Sequence, residues 1–384
     1  MIDFDHNATT PLRPEVRTAM MEVLGREDLG NPSSVHRPGQ RARGVLEQAR
    51  RSLAESLGAA PGEIVFTSGG TEADALAILG GARALRAAGR PCAVACAAIE
   101  HPAVTGAVAI LRREGIACPE LATDRDGRID GDALVDLLAR DRTIGLVSIA
   151  AAHHELGNVP ALPALVQRIR EVAPGVLVHS DAVQAFGKIA CARAALGVDL
   201  LSISAHKIGG PIGVGALVVA REVAIDPPWG GGAQQAGRRP GTESVVLAVG
   251  FATAARSACA RLPEWDARVR PLGERMRAGL AQLGARLVGD REHHVGNTAL
   301  VELPGCDGQL AVIALDLAGF HCSTGAACSA GTVEPSRVLL ALGRDRDAAK
   351  SAVRFSIGHE HTAADIDALL DALADILPRV RGAA

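Results

Sequence analysis

Tyrosine is absent from this chain, and aromatic residues together make up only 2% of it. A surface that stacks the bases of RNA or single-stranded DNA needs such rings, so none is expected. Charge of one sign is not in excess either: 40 Lys and Arg stand against 43 Asp and Glu, a net charge of -3. That balance gives no basic footprint for nucleic acid and no polybasic membrane segment. No apolar run approaches the roughly 18 residues of a membrane span. The opening Met1-Ile2-Asp3-Phe4-Asp5-His6 has no basic region followed by an apolar stretch, so no signal peptide is expected. The 8 cysteines are too sparse in 384 residues for a disulfide scaffold, and no two form a Cys-x-x-Cys zinc pair. The expectation is a cytoplasmic protein with reduced thiols, no metal centre, no direct nucleic-acid partner and no membrane association.

What is present is a globular chain, 48% hydrophobic and 22% charged, long enough for two or three structural units and a large core. Its patterning alternates. Residues 37–57 read as a helix, 63–66 as a strand, 71–88 as a helix ended by Gly89, and 92–97 as a buried strand. Further strands are expected at 144–150, 176–179, 200–203 and 215–219, with helices starting at Pro102, Asp132 and Leu162. This is the pattern of an α/β fold with a mostly parallel sheet covered on both faces. Residues 227–241 are Gly-rich and basic and read as a long functional loop. Two long helices are expected at 242–262 and 266–283. Strands near 298–303 and 352–357, with helices from Asp307, Pro335 and Ala363, complete a smaller α+β unit.

Three short motifs carry chemistry. Thr67-Ser68-Gly69-Gly70-Thr71-Glu72 follows a strand and opens a helix. Glycines there let an anion approach the free N–H groups of the helix start, and Thr71 adds a hydroxyl; the plainer reading is a helix cap at Thr71. His179-Ser180-Asp181-Ala182-Val183-Gln184 closes an apolar strand. Ligands of open parallel sheets bind at that end, and a carboxylate there can pair with a cationic ring nitrogen. The plainer reading makes Asp181 a helix cap. Ser204-Ala205-His206-Lys207, followed by Gly209-Gly210-Pro211, places a lysine just past a buried strand. That setting suits a Schiff base, although a lysine in a loop is more often simply exposed. Anion cup, strand-end Asp and loop Lys stand in the order expected of a pyridoxal 5'-phosphate site.

The chain resembles the NifS/IscS-type cysteine desulfurases, a group within the class-V aminotransferases of pyridoxal-phosphate fold type I. The resemblance rests on Asp5-His6-Asn7-Ala8-Thr9-Thr10-Pro11, Gly30-Asn31-Pro32-Ser33-Ser34, Glu100-His101 and Ser204-Ala205-His206-Lys207. It continues through Gly230-Gly231-Gly232-Ala233-Gln234, Arg239-Pro240-Gly241-Thr242-Glu243, Ser323-Thr324-Gly325-Ala326-Ala327-Cys328 and Arg354-Phe355-Ser356-Ile357-Gly358. It implies a large cofactor-binding domain over 15–255 and a small domain made of 1–14 and 256–384. Lys207 would hold the cofactor covalently and carry the substrate Cα proton. Asp181 would keep the pyridine nitrogen protonated, and Gln184 would hydrogen-bond the ring's phenolic oxygen. Gly70, Thr71, Ser204 and His206 would bind the phosphate, with Thr242 reaching the phosphate of the other subunit of a homodimer. His101 would stack on the ring and shuttle a proton. Asn7, Ala8, Thr9 and Arg354 would line the substrate side, with the planar fork of Arg354 on the substrate carboxylate. Cys328, among Gly, Ala and Ser, would attack the sulfur of L-cysteine, carry it as a persulfide, release L-alanine and pass the sulfur to an acceptor protein for iron–sulfur assembly or thiolation.

One departure is local. Ala152-His153-His154-Glu155-Leu156-Gly157 stands where the group has Asn-Asn-Glu-x-Gly, so His154 occupies the place of an Asn that hydrogen-bonds the phenolic oxygen. His153 and His154 are expected to point apart, as neighbours at a strand end do. The alternatives are another fold-type I activity, such as a transaminase or a selenocysteine lyase, or a sulfur-relay protein without catalysis.

Overall fold

We describe the fold from a computed structural model, covering residues 1–324 and 335–381. Its main sheet has seven strands in the order Ile64–Thr67, Gly215–Val219, Leu200–Ser204, Leu177–Asp181, Ile144–Ser148, Ala93–Ala97 and Glu120–Leu121. Only Gly215–Val219 runs antiparallel to its neighbours. From Leu200–Ser204 to Glu120–Leu121 the strands pair in parallel, as expected. The central strands are buried along nearly their whole length, which explains their continuous apolar composition: helices cover both faces. Because Ile64–Thr67, Leu177–Asp181 and Leu200–Ser204 run the same way, their last residues share one edge of the sheet. All three chemical motifs follow those strands.

The helix Arg37–Leu57 shows how local sequence sets an element. His36 caps its start, its side chain accepting from the Gly39 N–H, and Gly58 ends it in the left-handed region at φ 59°. Leu46, Ala49, Leu53 and Leu57 recur on one face and are buried. That face packs on the helix Val245–Ala260. Truncating the fully buried Leu53 to Ala would cost about 2–5 kcal/mol.

A second core gathers Phe4, Trp265, Met276, Phe355 and Ile366. It lies under an antiparallel sheet ordered Ser323–Thr324, Ala352–Ser356, Thr298–Glu302 and Arg286–Val288. The N-terminal Ile2–Asp3 joins this half by pairing in parallel with Phe320–His321. Residues 318 positions apart are thereby side by side.

Elements differ from the sequence expectation mainly at their ends. The helix expected at 242–262 begins at Val245 because Ser244 caps it. The one expected at 71–88 starts at Gly70 and widens into a π turn over Leu76–Gly80. The helix Pro14–Leu24 was not anticipated; proline in its first turn pre-sets its backbone. Among the described residues no single helix is long and apolar enough to cross a membrane.

Candidate active site

The shared edge of the main sheet faces the second core across a cavity of about 730 Å³. Gly70 and Thr71 reach it from the helix start after Ile64–Thr67. Asp181 ends the neighbouring strand, with Gln184 in the turn beyond, and Ser204, His206 and Lys207 follow Leu200–Ser204. Asn7 and Ala8 enter from the N-terminal segment, His101 from a helix start, His154 from a turn, and Arg354 from the strand Ala352–Ser356. All but two of the expected site residues within the described chain line this one cavity. Thr9 stands aside and touches His206, Oγ1 to Nδ1 at 3.3 Å. Thr242 is exposed and does not line the cavity. Cys328 lies outside the described residues.

Local packing explains several placements. The cap of the helix after Ile64–Thr67 is Gly69, not Thr71. A Cβ at Gly70 would come within 2.7 Å of Val183 Cγ2, so glycine lets the helix start close against the Asp181 turn. Asp181 Oδ1 accepts the Val183 N–H at 2.8 Å. Two residues earlier, fully buried His179 bridges Ser148 Oγ and Ser202 Oγ, each at 2.9 Å, and so ties three strands together behind the site. Ser204 Oγ is buried and has no hydrogen-bond partner among the described residues.

Lys207 Nζ donates to the main-chain oxygens of Asn7, at 2.5 Å, and Ala8, at 2.7 Å. Burial, with Arg354 nearby, pulls its pKa down to about 8. Burial, with Asp74 adding its repulsion, pushes Asp181 up to about 7. Arg354 Nη2 donates to Asp5 Oδ1 at 2.9 Å and its Nη1 to the His154 main-chain oxygen at 3.2 Å. Its Nε is buried with no partner among the described residues.

His153 and His154 do not point apart. They occupy a turn rather than a strand end, and their rings stack at 4.6 Å between centroids. His153 faces inward: Nε2 meets the Ile99 main-chain oxygen at 2.8 Å, and Nδ1 accepts the N–H groups of Glu155 and Leu156. Both its nitrogens are committed. His154 faces the cavity, edge-on to His101 at 4.9 Å. Burial, then His101, Arg354 and Lys207, hold its pKa well below the usual value, so it is neutral despite Glu155 Oε1 at 3.5 Å. His101 both lines the cavity and caps its helix, Nδ1 accepting from Ala103 N–H at 3.1 Å.

The site also contains residues that the sequence reading gave no role. Asp74 lines the cavity, one turn beyond Thr71 on the same helix, the spacing that places side chains on one face. Glu155, Gln309, Val312 and Ile313 line it as well, as does Cys322, which the sequence offers as a second candidate sulfur carrier but one expected to pack at a strand end. Asp5 lies two residues before Asn7, yet its partnership with Arg354 depends on a contact across 349 positions.

Residues 2–369 match the family model described as aminotransferase class-V. The chain is 39% identical over 389 residues to an IscS-like cysteine desulfurase of Mycobacterium tuberculosis, covering 100% of this chain and 98% of that one. It is 41% identical over 381 residues to a cysteine desulfurase of Cereibacter sphaeroides, covering 98% and 96%. A solved structure titled as a NifS-like protein superposes with a TM-score of 0.90 at 33% identity, covering 98% of this chain and 99% of the other. The chain therefore belongs to the class-V aminotransferase family of pyridoxal-phosphate enzymes.

Proposed function

We propose that this protein is a pyridoxal-phosphate-dependent cysteine desulfurase that converts L-cysteine to L-alanine and carries the sulfur on Cys328. The observation that carries this reading is the convergence of Lys207, Asp181 and Arg354 on one cavity from three separate parts of the chain. A relay protein without chemistry has no use for that set.

The cavity residues fit the cofactor. The N–H groups around Gly70, the Thr71 hydroxyl, Ser204 Oγ, unpartnered among the described residues, and a neutral His206 would hold the phosphate. Asp181 would hold the ring nitrogen, and Gln184 and His154 would face the phenolic oxygen, His154 by donating from its neutral ring. When bound, pyridoxal phosphate supplies an electron sink conjugated to the substrate Cα.

The chain's own residues do the rest. Among the described residues Arg354 gives one N–H of Nη1 to His154 and one of Nη2 to Asp5, and the second N–H of each would fork a carboxylate. Lys207 Nζ, with its pKa near 8, takes the Cα proton and returns it. The Cys328 thiolate attacks the substrate Sγ; the Cβ–Sγ bond breaks, an S–S bond forms, and protonation at Cβ gives L-alanine. One cysteine and one thiol thus become one alanine and one persulfide, with no outside oxidant. Cys322 is a poor rival, because burial and then Asp5 push its thiol up to about 12.

The core of Phe4, Trp265, Met276, Phe355 and Ile366 draws only on 1–14 and 256–384, which supports a small unit of those residues beside a large cofactor-binding unit over 15–255. The exposed loop around Thr242 is consistent with a homodimer in which Thr242 serves the partner's phosphate, and the product is a persulfide for an acceptor protein. The test is incubation with L-cysteine. Alanine and persulfide in equal amounts are expected, whereas a keto acid with an aminated cofactor would make the protein a transaminase.

A further inference from the structure

Lys188 is 5% exposed and lies outside the active-site cavity, yet it is bonded into the site's supports. Its Nζ donates to Gln184 Oε1 at 2.6 Å and to Asn7 Oδ1 at 3.2 Å. We propose that Lys188 is a positioning residue that fixes the orientation of the Gln184 amide, so that Gln184 presents an N–H, and never its carbonyl, to the cofactor's ring oxygen. The inference rests on the pyridoxal-phosphate reading of the cavity.

The argument is one of donors and acceptors. An amide has one acceptor end and one donor end, and the two look nearly alike in shape. Gln184 Nε2 donates to the main-chain oxygen of Asn7 at 2.9 Å. A carbonyl oxygen can only accept, and a protonated lysine can only donate. Turning the Gln184 amide over would set carbonyl against carbonyl and NH₂ against ammonium. Both contacts therefore select one orientation, which leaves the second N–H of Nε2 for an acceptor in the cavity. Asn7 is locked in the same way: Oδ1 also accepts from Asn297 Nδ2 at 3.2 Å, and Nδ2 donates to Thr298 Oγ1 at 2.9 Å.

The main-chain oxygen of Asn7 takes both Gln184 Nε2 and Lys207 Nζ. One side chain outside the cavity thus sets the donor facing the ring oxygen and the segment on which Lys207 rests. The cost is a buried ammonium: burial, then Lys207 and Arg354, lower Lys188 to about 7. A neutral amine keeps N–H groups for Gln184, but its lone pair would no longer forbid the flipped amide.

The experiment follows the visible absorption band of the cofactor-loaded enzyme against pH, for wild type, Lys188→Met, Gln184→Ala and the double variant. The midpoint reports the proton shared between Lys207 Nζ and the ring oxygen. Loss of an N–H donor to that oxygen should raise the midpoint by about one pH unit. Lys188→Met and Gln184→Ala should each produce the rise, and the double variant no more than either alone, because both remove the same hydrogen bond. Lys188→Arg, which like lysine can only donate, should restore most of the wild-type midpoint. A wild-type midpoint in Lys188→Met, or two shifts that add, would overturn the proposal; additivity would mean that Lys188 acts by charge alone. A merely structural lysine would lower thermal stability without moving the midpoint. If wild type itself forms no visible band with pyridoxal phosphate, the cofactor reading fails instead.

Discussion

Arg354 and Asp5 are 349 positions apart in sequence and 2.9 Å apart in the fold, guanidinium Nη2 to carboxylate Oδ1. Ser323 Oγ holds the other oxygen of Asp5 at 2.6 Å. The guanidinium is thus clamped between the N-terminal segment and the turn at His154 before any substrate arrives. A lysine at 354 would keep the charge but could not reach Asp5, the His154 oxygen and a substrate carboxylate together. Arg354→Lys should lower kcat/KM for L-cysteine about a hundredfold, near 2.7 kcal/mol, mostly through KM. Steady-state kinetics decide it; an unchanged KM would remove Arg354 from carboxylate recognition.

Lys207 should be titratable through its chemistry. A buried lysine with pKa about 8 is largely neutral, and so nucleophilic, at a pH where one at 10.5 is not. The rate at which cofactor-free enzyme takes up pyridoxal phosphate into a visible band should rise with pH to about 8 and flatten above it. A rate still climbing toward pH 10 would mean an unshifted amine. Stability shifts in the same direction: the folded state holds this proton less tightly than the unfolded one, so the penalty is present at low pH and is relieved as pH rises through about 8 toward 10.5. Lys207→Ala should be colourless, inactive and folded by circular dichroism.

His154→Asn should retain cofactor and activity within about tenfold, roughly 1.4 kcal/mol of barrier. The main-chain oxygen of residue 154, which accepts from Asn7 Nδ2 and Arg354 Nη1, survives the substitution. The neutral imidazole is being asked for one N–H, which an amide also has. A loss beyond about a hundredfold would show the ring doing something an amide cannot.

Cys322 and Cys328 should separate cleanly. Cys322 packs against the second core and has its thiol pushed up to about 12. Cys322→Ser should therefore keep most activity. Cys328→Ser should bind cofactor and L-cysteine but release no alanine above background. Mass spectrometry of the 322–334 peptides after one pulse of cysteine locates the extra sulfur. Finding it on Cys322 would refute the assignment.

The sheet, its mostly parallel sense and most cavity residues were legible because each is encoded locally. Buried parallel strands are continuous apolar runs, and the residues that follow them emerge at one edge. The stacking of His153 on His154 is not legible in the sequence, because alternation of side chains holds only in a strand and the chain turns here. The place of Asp74 is not legible either: its spacing from Thr71 is visible, but a lone Asp in a short helix has no distinctive signature.

The sequence by itself determined the order of the elements, the Lys207, Asp181 and Arg354 motifs and the family to which they belong, since periodicity and turn chemistry act over a few residues. Only the tertiary structure decided that Asp5 faces Arg354, that Lys188 fixes Gln184 and Asn7, and that Lys207 lies buried beside a positive charge. Those relationships join positions up to 349 residues apart. The pKa values depend on burial and on distances of a few ångströms, quantities that no local pattern contains and that exist only once the chain has closed around the cavity.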